Sequence, residues 1–242
     1  MKDNKSEIQE RKYEFPYHYI VDFKGYNNSK ILPWGLEYYS YVSWIIDYVN
    51  KSNAKKIAEV GCGDGKILWE LAKINPDKQF IGYDLSKKAI AFAKAFGYGI
   101  RNLQFHDKDF DNDKDKYDLI LCVEVLEHIP DEKIAHFVEN ISDHLAKEGR
   151  LVISVPTKNV KLNPKHYRHY DLPLLKEHLK NFDLIDTHYI YKNNIINKIL
   201  LSLFDQMGFK KLELYIGKRI LFNANKKNGT HIVSIFESHI HQ

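Results

Sequence analysis

The chain has 242 residues, of which 44% are hydrophobic, and this is enough to bury the core of one α/β domain. Its 36 Lys and Arg residues against 32 Asp and Glu residues leave a formal charge of +4, too small to indicate nucleic acid or a membrane as a partner. Cys62 and Cys122 have no metal-binding spacing, which argues against a disulfide framework or structural zinc and favours a reducing, cytoplasmic location. We see neither a leader-like segment nor an apolar stretch long enough for a bilayer, so we expect no membrane contact.

Residues 1–50 begin polar and then become rich in aromatic side chains, which predicts an N-terminal helical cap. Tyr17, His18 and Trp34 are candidates to contact a substrate from this cap. Aromatic residues at helical spacing are more often part of a core, so both interpretations stay open.

Residues 51–156 alternate short apolar runs with segments of helical periodicity. Five strands are predicted, at KIAEV, QFIGYDL, NLQFHDKDF, YDLILCVEVLEHI and RLVISVP. Ser86 suits the N-cap of the helix KKAIAFAKAF, and a further helix is expected from about Asp131 to Lys147, ending at Gly149. The pattern predicts a doubly wound, Rossmann-like α/β fold with helices on both faces of a seven-stranded sheet.

Residues 157–242 are expected to belong to the same domain, as a substrate loop, a helical insertion and closing strands. A basic loop rich in His and Tyr precedes a helix near 172–179 and a strand, FDLIDTHYIY. The alternation in HIVSIFES, residues 231–238, predicts a closing strand that could be antiparallel to its predecessor.

A glycine-rich block follows the first predicted strand. Glycine lets the backbone bend tightly and approach a ligand closely. The spacing differs from the dinucleotide fingerprint, because the third glycine comes one residue earlier. The block resembles motif I of class I S-adenosylmethionine (SAM)-dependent methyltransferases, which implies SAM as cofactor, S-adenosylhomocysteine as product, and cofactor contacts from Glu59, Gly61, Cys62, Gly63 and Gly65.

Asp84 ends the second strand, where a carboxylate can accept hydrogen bonds from both ribose hydroxyls. A role in capping the following helix is the alternative. The resemblance also implies that Asp109 and Phe110 contact the adenine, with Asp107 as a rival if the loop alignment slips. Leu85 and Val123 complete the expected cofactor set.

Cys122 to Pro130 follow the fourth strand, at the edge of the sheet where ligands bind in such folds. His128 suits the role of general base, because an imidazole titrates near neutral pH. Glu124 and His169 are the other candidate catalytic residues. A shielding role for His128, without proton transfer, is the alternative.

Glu124, Glu127 and His128 form an E-x-x-E-H cluster, to which His166 or His169 could add an imidazole. Similar clusters in the ubiquinone and small-RNA groups of the family imply that a divalent metal is possible. Solvated or ion-paired carboxylates explain the pattern equally simply, so we expect no metal requirement. His166 and Arg168 are candidates to bind phosphate or sugar hydroxyls.

The resemblance covers about 56–156 and is greatest to the group that contains the ubiquinone-biosynthesis O-methyltransferases. It implies methyl transfer to O or N of a polar small molecule, such as a sugar, a nucleotide-linked sugar or a phosphorylated metabolite. A metal-dependent RNA 3′-end methyltransferase and a non-catalytic SAM-binding protein are the alternatives. The oligomeric state is left open.

Overall fold

The computed structural model describes residues 32–192 and 222–238, together with Lys5, Glu7, Ile199 and Leu203. Tyr17, His18 and nearly all of the expected helical insertion lie outside the described residues, and so does the side chain of Trp34. The predicted contacts of these residues therefore stay predictions.

Five helices and seven strands alternate along the described chain. The helices are α1 (Leu32–Lys51), α2 (Lys66–Ile74), α3 (Lys87–Phe96), α4 (Asp131–Asp143) and α5 (Leu172–His178). The strands are β1 (Lys56–Val60), β2 (Gln79–Tyr83), β3 (Leu103–His106), β4 (Tyr117–Val123), β5 (Leu145–Pro156), β6 (Phe182–Lys192) and β7 (Gly229–Ser238). Short 3₁₀ helices at Phe110–Asn112 and Leu126–His128 follow β3 and β4.

The strands form one sheet in the order β3-β2-β1-β4-β5-β7-β6. The first five strands are parallel, and β7 runs antiparallel to both β5 and β6. The predicted doubly wound, seven-stranded α/β fold is therefore confirmed, and so is the antiparallel closing strand.

Two hydrophobic clusters cover the two faces of the sheet. Alternate residues of a strand point to opposite faces, so Ile57 joins the cluster with α1, α2 and α3, while Ala58 joins the one with α4 and α5. Burial on both faces explains why the central strands are nearly continuous apolar runs.

Helix α4 ends earlier than the sequence pattern predicts. It stops at Asp143, because the His144 ring bonds to the carbonyl of Asn140 at 2.7 Å and Leu145 already pairs with Tyr117 as part of β5. Gly149 is not a helix end but part of β5, where a Cβ would lie 2.8 Å from the carbonyl oxygen of Ala146. The prediction that this helix reaches Lys147 was wrong.

The parallel strands place the loops after β1, β2, β4 and β5 at one edge of the sheet, which is where ligands bind in this architecture. None of the described helices is long and apolar enough to cross a membrane.

Candidate active site

A cleft of about 1170 Å³ opens at the carboxyl ends of the parallel strands, beneath α1. Most of the residues predicted to bind the cofactor line one half of it: Glu59, Gly61, Cys62, Gly63, Asp84, Leu85, Asp109, Phe110 and Val123. Glu124, His128, His166 and His169 line the other half. We call these the cofactor half and the acceptor half.

The loop after β1 lines the cleft with backbone atoms, because glycine occupies positions 61 and 63. Gly61 and Gly63 have φ values of +73° and +55°, which side chains rarely adopt, and the amides of Gly61 and Cys62 donate to the Tyr83 carbonyl at 2.7 and 3.0 Å. A Cβ on Gly61 would lie 2.4 Å from Cγ2 of Val125. The loop and the turn after β4 therefore pack together only because position 61 is glycine.

Gly65 packs against β3, and its predicted contact with the cofactor stays a prediction. It is not among the residues that line the cleft; it precedes α2 at φ +74°, and a Cβ there would lie 2.4 Å from Cζ of Phe105. Its lack of a side chain allows α2 to pack against β3, and this packing holds the glycine loop in place on the side away from the cleft.

Asp84 connects the glycine loop to the start of α3. One carboxylate oxygen accepts the amide of Gly63 at 2.9 Å, and the other accepts the amide of Ser86 at 2.8 Å. Ser86 itself caps α3 by accepting the amide of Ala89, as predicted. A carboxylate has about four lone-pair sites, and Asp84 lines the cleft, so its predicted contact with the ribose stays compatible with these bonds.

Glu59 provides a buried carboxylate beside the loop. Its Oε2 has no hydrogen-bond partner among the described residues, and its side chain is almost fully buried. Burial, reinforced by Asp64 and Asp84, raises the pKa of this carboxyl. A buried carboxylate oxygen needs a donor, and the ammonium group of SAM is a donor of the right charge.

Asp109 and Phe110 line the cleft after β3, whereas the rival Asp107 does not and instead pairs with Lys94 at 3.7 Å. Asp109 also caps the short 3₁₀ helix that follows it. The buried Phe110 ring lies edge-on to Tyr83, with ring centroids 5.1 Å apart.

Glu124 begins the turn that carries the acceptor half. Its φ is +56°, and its carboxylate accepts from Ser154 Oγ at 2.7 Å and from His231 Nε2 at 3.0 Å. Burial alone would raise the pKa of Glu124, but the charge and hydrogen bond of His231 outweigh it and lower this pKa. Glu124 is thus an ionised partner of His231.

Glu127 lies deeper, with no exposed surface, and neither of its carboxylate oxygens has a hydrogen-bond partner among the described residues. Burial, followed by repulsion from Glu124, raises its pKa. One ligand atom each from Glu127, His128 and His166 lies within 4.8 Å of the others. Either a proton or a cation must balance this carboxylate.

Backbone carbonyls determine which nitrogens of the neighbouring imidazoles carry hydrogen in the neutral rings. His128 Nδ1 donates to the Lys165 carbonyl at 3.2 Å, and His169 Nδ1 donates to the Val160 carbonyl at 3.1 Å. His169 Nε2 then accepts from His166 Nδ1 at 2.9 Å. The Nε2 atoms of His128 and His166 are left with lone pairs, beside the Glu127 carboxylate.

Arg168 is not among the residues that line the cleft. Its guanidinium donates to the Leu126 carbonyl at 3.1 Å and pairs with Asp131 at 2.7 Å. Arg168 therefore stabilises the turn after β4 through these two contacts. This position does not favour the substrate contact predicted for it.

Sequence patterns missed Glu37, Tyr41 and His231, which also line the cleft. Glu37 and Tyr41 come from α1, and His231 lies near the start of β7. For His231 the sequence did contain a signal, a histidine near the start of a predicted antiparallel strand. The first residues of such a strand lie beside the carboxyl ends of its parallel neighbours, which is the edge where the cleft opens.

A family model described as a methyltransferase domain matches residues 38–213. The chain belongs to this methyltransferase domain family. Family membership and fold confirm the predicted class I methyltransferase domain.

Among curated relatives, a small RNA 2′-O-methyltransferase of Rattus norvegicus is 29% identical over 136 residues, which cover 50% of this chain and 34% of the relative. A ubiquinone biosynthesis O-methyltransferase of Aeromonas salmonicida is 29% identical over 132 residues, 52% of each chain. The chain therefore spans about half or less of the length of these relatives.

Solved structures share the fold at low sequence identity. The N-methyltransferase NodS of Bradyrhizobium japonicum, in complex with S-adenosylhomocysteine, has a TM-score of 0.64 at 14% identity, covering 98% of this chain and 100% of its own. Magnesium protoporphyrin IX methyltransferase of Synechocystis, with bound SAM, has a TM-score of 0.63 at 15% identity, covering 98% and 99%.

Proposed function

We propose that this protein transfers the methyl group of SAM to a hydroxyl oxygen of a polar acceptor held at Glu127, His128 and His166. The observation that carries the proposal is the buried Glu127 carboxylate beside two imidazoles whose Nε2 atoms bear lone pairs. The curated relatives named above are O-methyltransferases, which supports oxygen rather than nitrogen as the acceptor atom. A sugar or nucleotide-linked sugar with adjacent hydroxyls is the acceptor class that we favour.

SAM fits the cofactor half of the cleft. The glycine loop leaves its backbone accessible, Asp84 offers lone pairs toward ribose hydroxyls, and the buried Glu59 carboxylate suits the ammonium group. The methyl group of SAM would then face the turn after β4. Holding the acceptor oxygen within about 3–3.5 Å of that methyl supplies much of the rate in an in-line displacement.

A divalent cation fits the acceptor half. A carboxylate and two imidazoles are common metal ligands, and three such groups converge here within 4.8 Å of one another. Such an ion would bind paired hydroxyls and lower their pKa. The Glu124 carboxylate instead accepts from Ser154 and His231, and His169 orients His166 through the bond between their rings.

Chelation should therefore reduce catalysis, contrary to the expectation from sequence. We expect extensive EDTA treatment to lower kcat roughly 10-fold or more, and Mg²⁺, Mn²⁺ or Zn²⁺ to restore it, while SAM affinity stays unchanged. Glu127→Gln should weaken metal binding by roughly 10-fold or more, whereas Glu139→Gln, an exposed carboxylate on α4, should not. Full activity after chelation would restore the prediction that no metal is needed.

A second candidate acceptor is the 3′-terminal ribose of RNA. It also carries adjacent hydroxyls, and the similarity to the small RNA 2′-O-methyltransferase covers half of this chain. The Glu127 cluster suits either acceptor, so the distinction depends on what the rest of the cleft recognises.

Transfer of labelled methyl from SAM to a panel of acceptors tests both candidates. We expect incorporation into nucleotide sugars, and none into matched compounds whose adjacent hydroxyls are blocked or removed. Preference of roughly 100-fold or more for an oligoribonucleotide over the nucleotide sugars, abolished by a 3′-phosphate, would establish the RNA candidate instead. Methylation of amines alone would contradict the proposal, and SAM binding without turnover would favour a non-catalytic role.

A further inference from the structure

His231 connects three separate elements at the acceptor half of the cleft. From the start of β7, its Nε2 contacts the Glu124 carboxylate at 3.0 Å. Its Nδ1 lies 3.4 Å from Glu37 Oε1 on α1, and the Tyr41 ring of the same helix packs on the imidazole with centroids 4.7 Å apart. The side chain is 9% exposed, so these contacts are shielded from solvent.

Glu124 is the residue in this group whose backbone conformation requires support. A positive φ at a non-glycine residue costs on the order of 1–3 kcal/mol and persists where the surroundings impose it. The surroundings here are three hydrogen bonds: the amide to the Ser154 carbonyl at 3.0 Å, and the carboxylate to Ser154 Oγ and His231. Ser154 makes two of these three hydrogen bonds, and His231 makes the third.

The conformation of Glu124 determines where the following residues lie. Val125 packs so closely on Gly61 that a Cβ there would clash, and Glu127 and His128 follow on the 3₁₀ helix. A change in the backbone of Glu124 would therefore displace Glu127 and His128, two of the three proposed ligands, which act only when held within a fraction of an ångström.

We infer that His231 is a positioning residue, which holds the turn after β4 in its strained conformation and ties that turn to helix α1 through Glu37. This inference rests on the proposed function, since it assigns His231 a part in presenting Glu127 and His128 to the acceptor. In this inference His231 acts on the reaction through its contact with Glu124.

The test compares His231→Ala with His231→Gln, whose side-chain amide can still donate to Glu124. His188→Ala is the matched control, because His188 forms a similar imidazole–carboxylate pair with Asp186 at 2.8 Å on β6, away from the cleft. In His231→Ala we expect kcat to fall roughly 10-fold or more with SAM affinity within about threefold of wild type. His231→Gln should recover most of kcat, and His188→Ala should keep all of it.

Hydrogen exchange gives a readout that does not depend on the acceptor. The amides of Glu124 and His128 are bonded to the Ser154 and Val125 carbonyls, and in His231→Ala they should exchange roughly 10-fold faster, while β1 and β2 stay protected. Unchanged exchange in the turn, equally faster exchange throughout the sheet, or no recovery in His231→Gln would overturn the inference. If the wild type methylates no acceptor, the proposed function fails, and the exchange result alone decides whether His231 positions the turn.

Discussion

Gly61→Val is expected to abolish measurable SAM binding. Valine at φ +73° is strained, and its Cβ would lie 2.4 Å from Cγ2 of Val125, so either the glycine loop or the turn after β4 must move. The strain at position 61 acts on the glycine loop itself, which lines the cofactor half, so the surface that receives SAM is disrupted. Calorimetric titration with SAM and with S-adenosylhomocysteine measures the effect directly.

Gly99→Val is the matched control for backbone strain. Gly99 has a φ of +82°, but nothing lies within 4 Å of the position a Cβ would occupy. This variant should lose about 1 kcal/mol of folding stability or somewhat more and keep its SAM affinity. If both variants bind SAM as the wild type does, the assignment of the cofactor half is wrong.

Asp84→Ala should weaken SAM binding by a second route. It removes the acceptor of the Gly63 and Ser86 amides together with the lone pairs available to the ribose. The loss of charge-assisted hydrogen bonds is worth about 1.5–3 kcal/mol each, so we expect SAM affinity to fall by roughly 10- to 100-fold or more. Wild-type affinity in this variant would remove Asp84 from the cofactor site.

His128→Ala is expected to lower kcat by roughly 10² to 10⁴ while leaving SAM affinity nearly intact. His128 lies in the acceptor half, and the bond from Nδ1 to the Lys165 carbonyl directs its lone pair from Nε2. Removing the ring takes away a group that acts on the acceptor but leaves the glycine loop and Asp84 in place. We therefore expect kcat to fall while the affinity for SAM stays nearly the same.

Two further measurements on His128→Ala, metal affinity and the pH dependence of the rate, identify the role of His128. As a metal ligand, its removal should weaken the affinity for Mn²⁺ by roughly 10-fold or more, and high metal concentration should recover part of the activity. As the general base predicted from sequence, its removal should leave metal affinity unchanged and abolish the limb of the pH–rate profile that rises near the imidazole pKa. We expect the first result, and near-normal turnover in the variant would exclude both roles.

Much of the fold and of the cofactor half could be predicted from sequence, because the relevant signals are local. A buried parallel strand must be apolar on both faces, and a sharp turn that approaches a ligand must contain glycine, so the run before Glu59 and the glycines after it indicate strand and loop together. Asp84 was expected in the cleft because it follows a strand whose carboxyl end is at this edge, and Phe110 because the family resemblance implies it. The motif position of Gly65, by contrast, does not show that Phe105 packs against it.

The acceptor half depends on contacts between residues far apart in sequence. His231 reaches Glu124 across 107 positions, and the sequence pattern at residue 231 predicts only a strand. Likewise, the HYRHYD segment does not show that His166 turns toward Glu127 while Arg168 turns away to Asp131.

The sequence by itself therefore determined the family, the doubly wound core and the glycine loop, because periodicity and glycine placement act within a few residues. The tertiary structure alone decided that Glu127, rather than Glu124, stands with His128 and His166, since the packing of β7 and α1 against the turn after β4 gives Glu124 another partner.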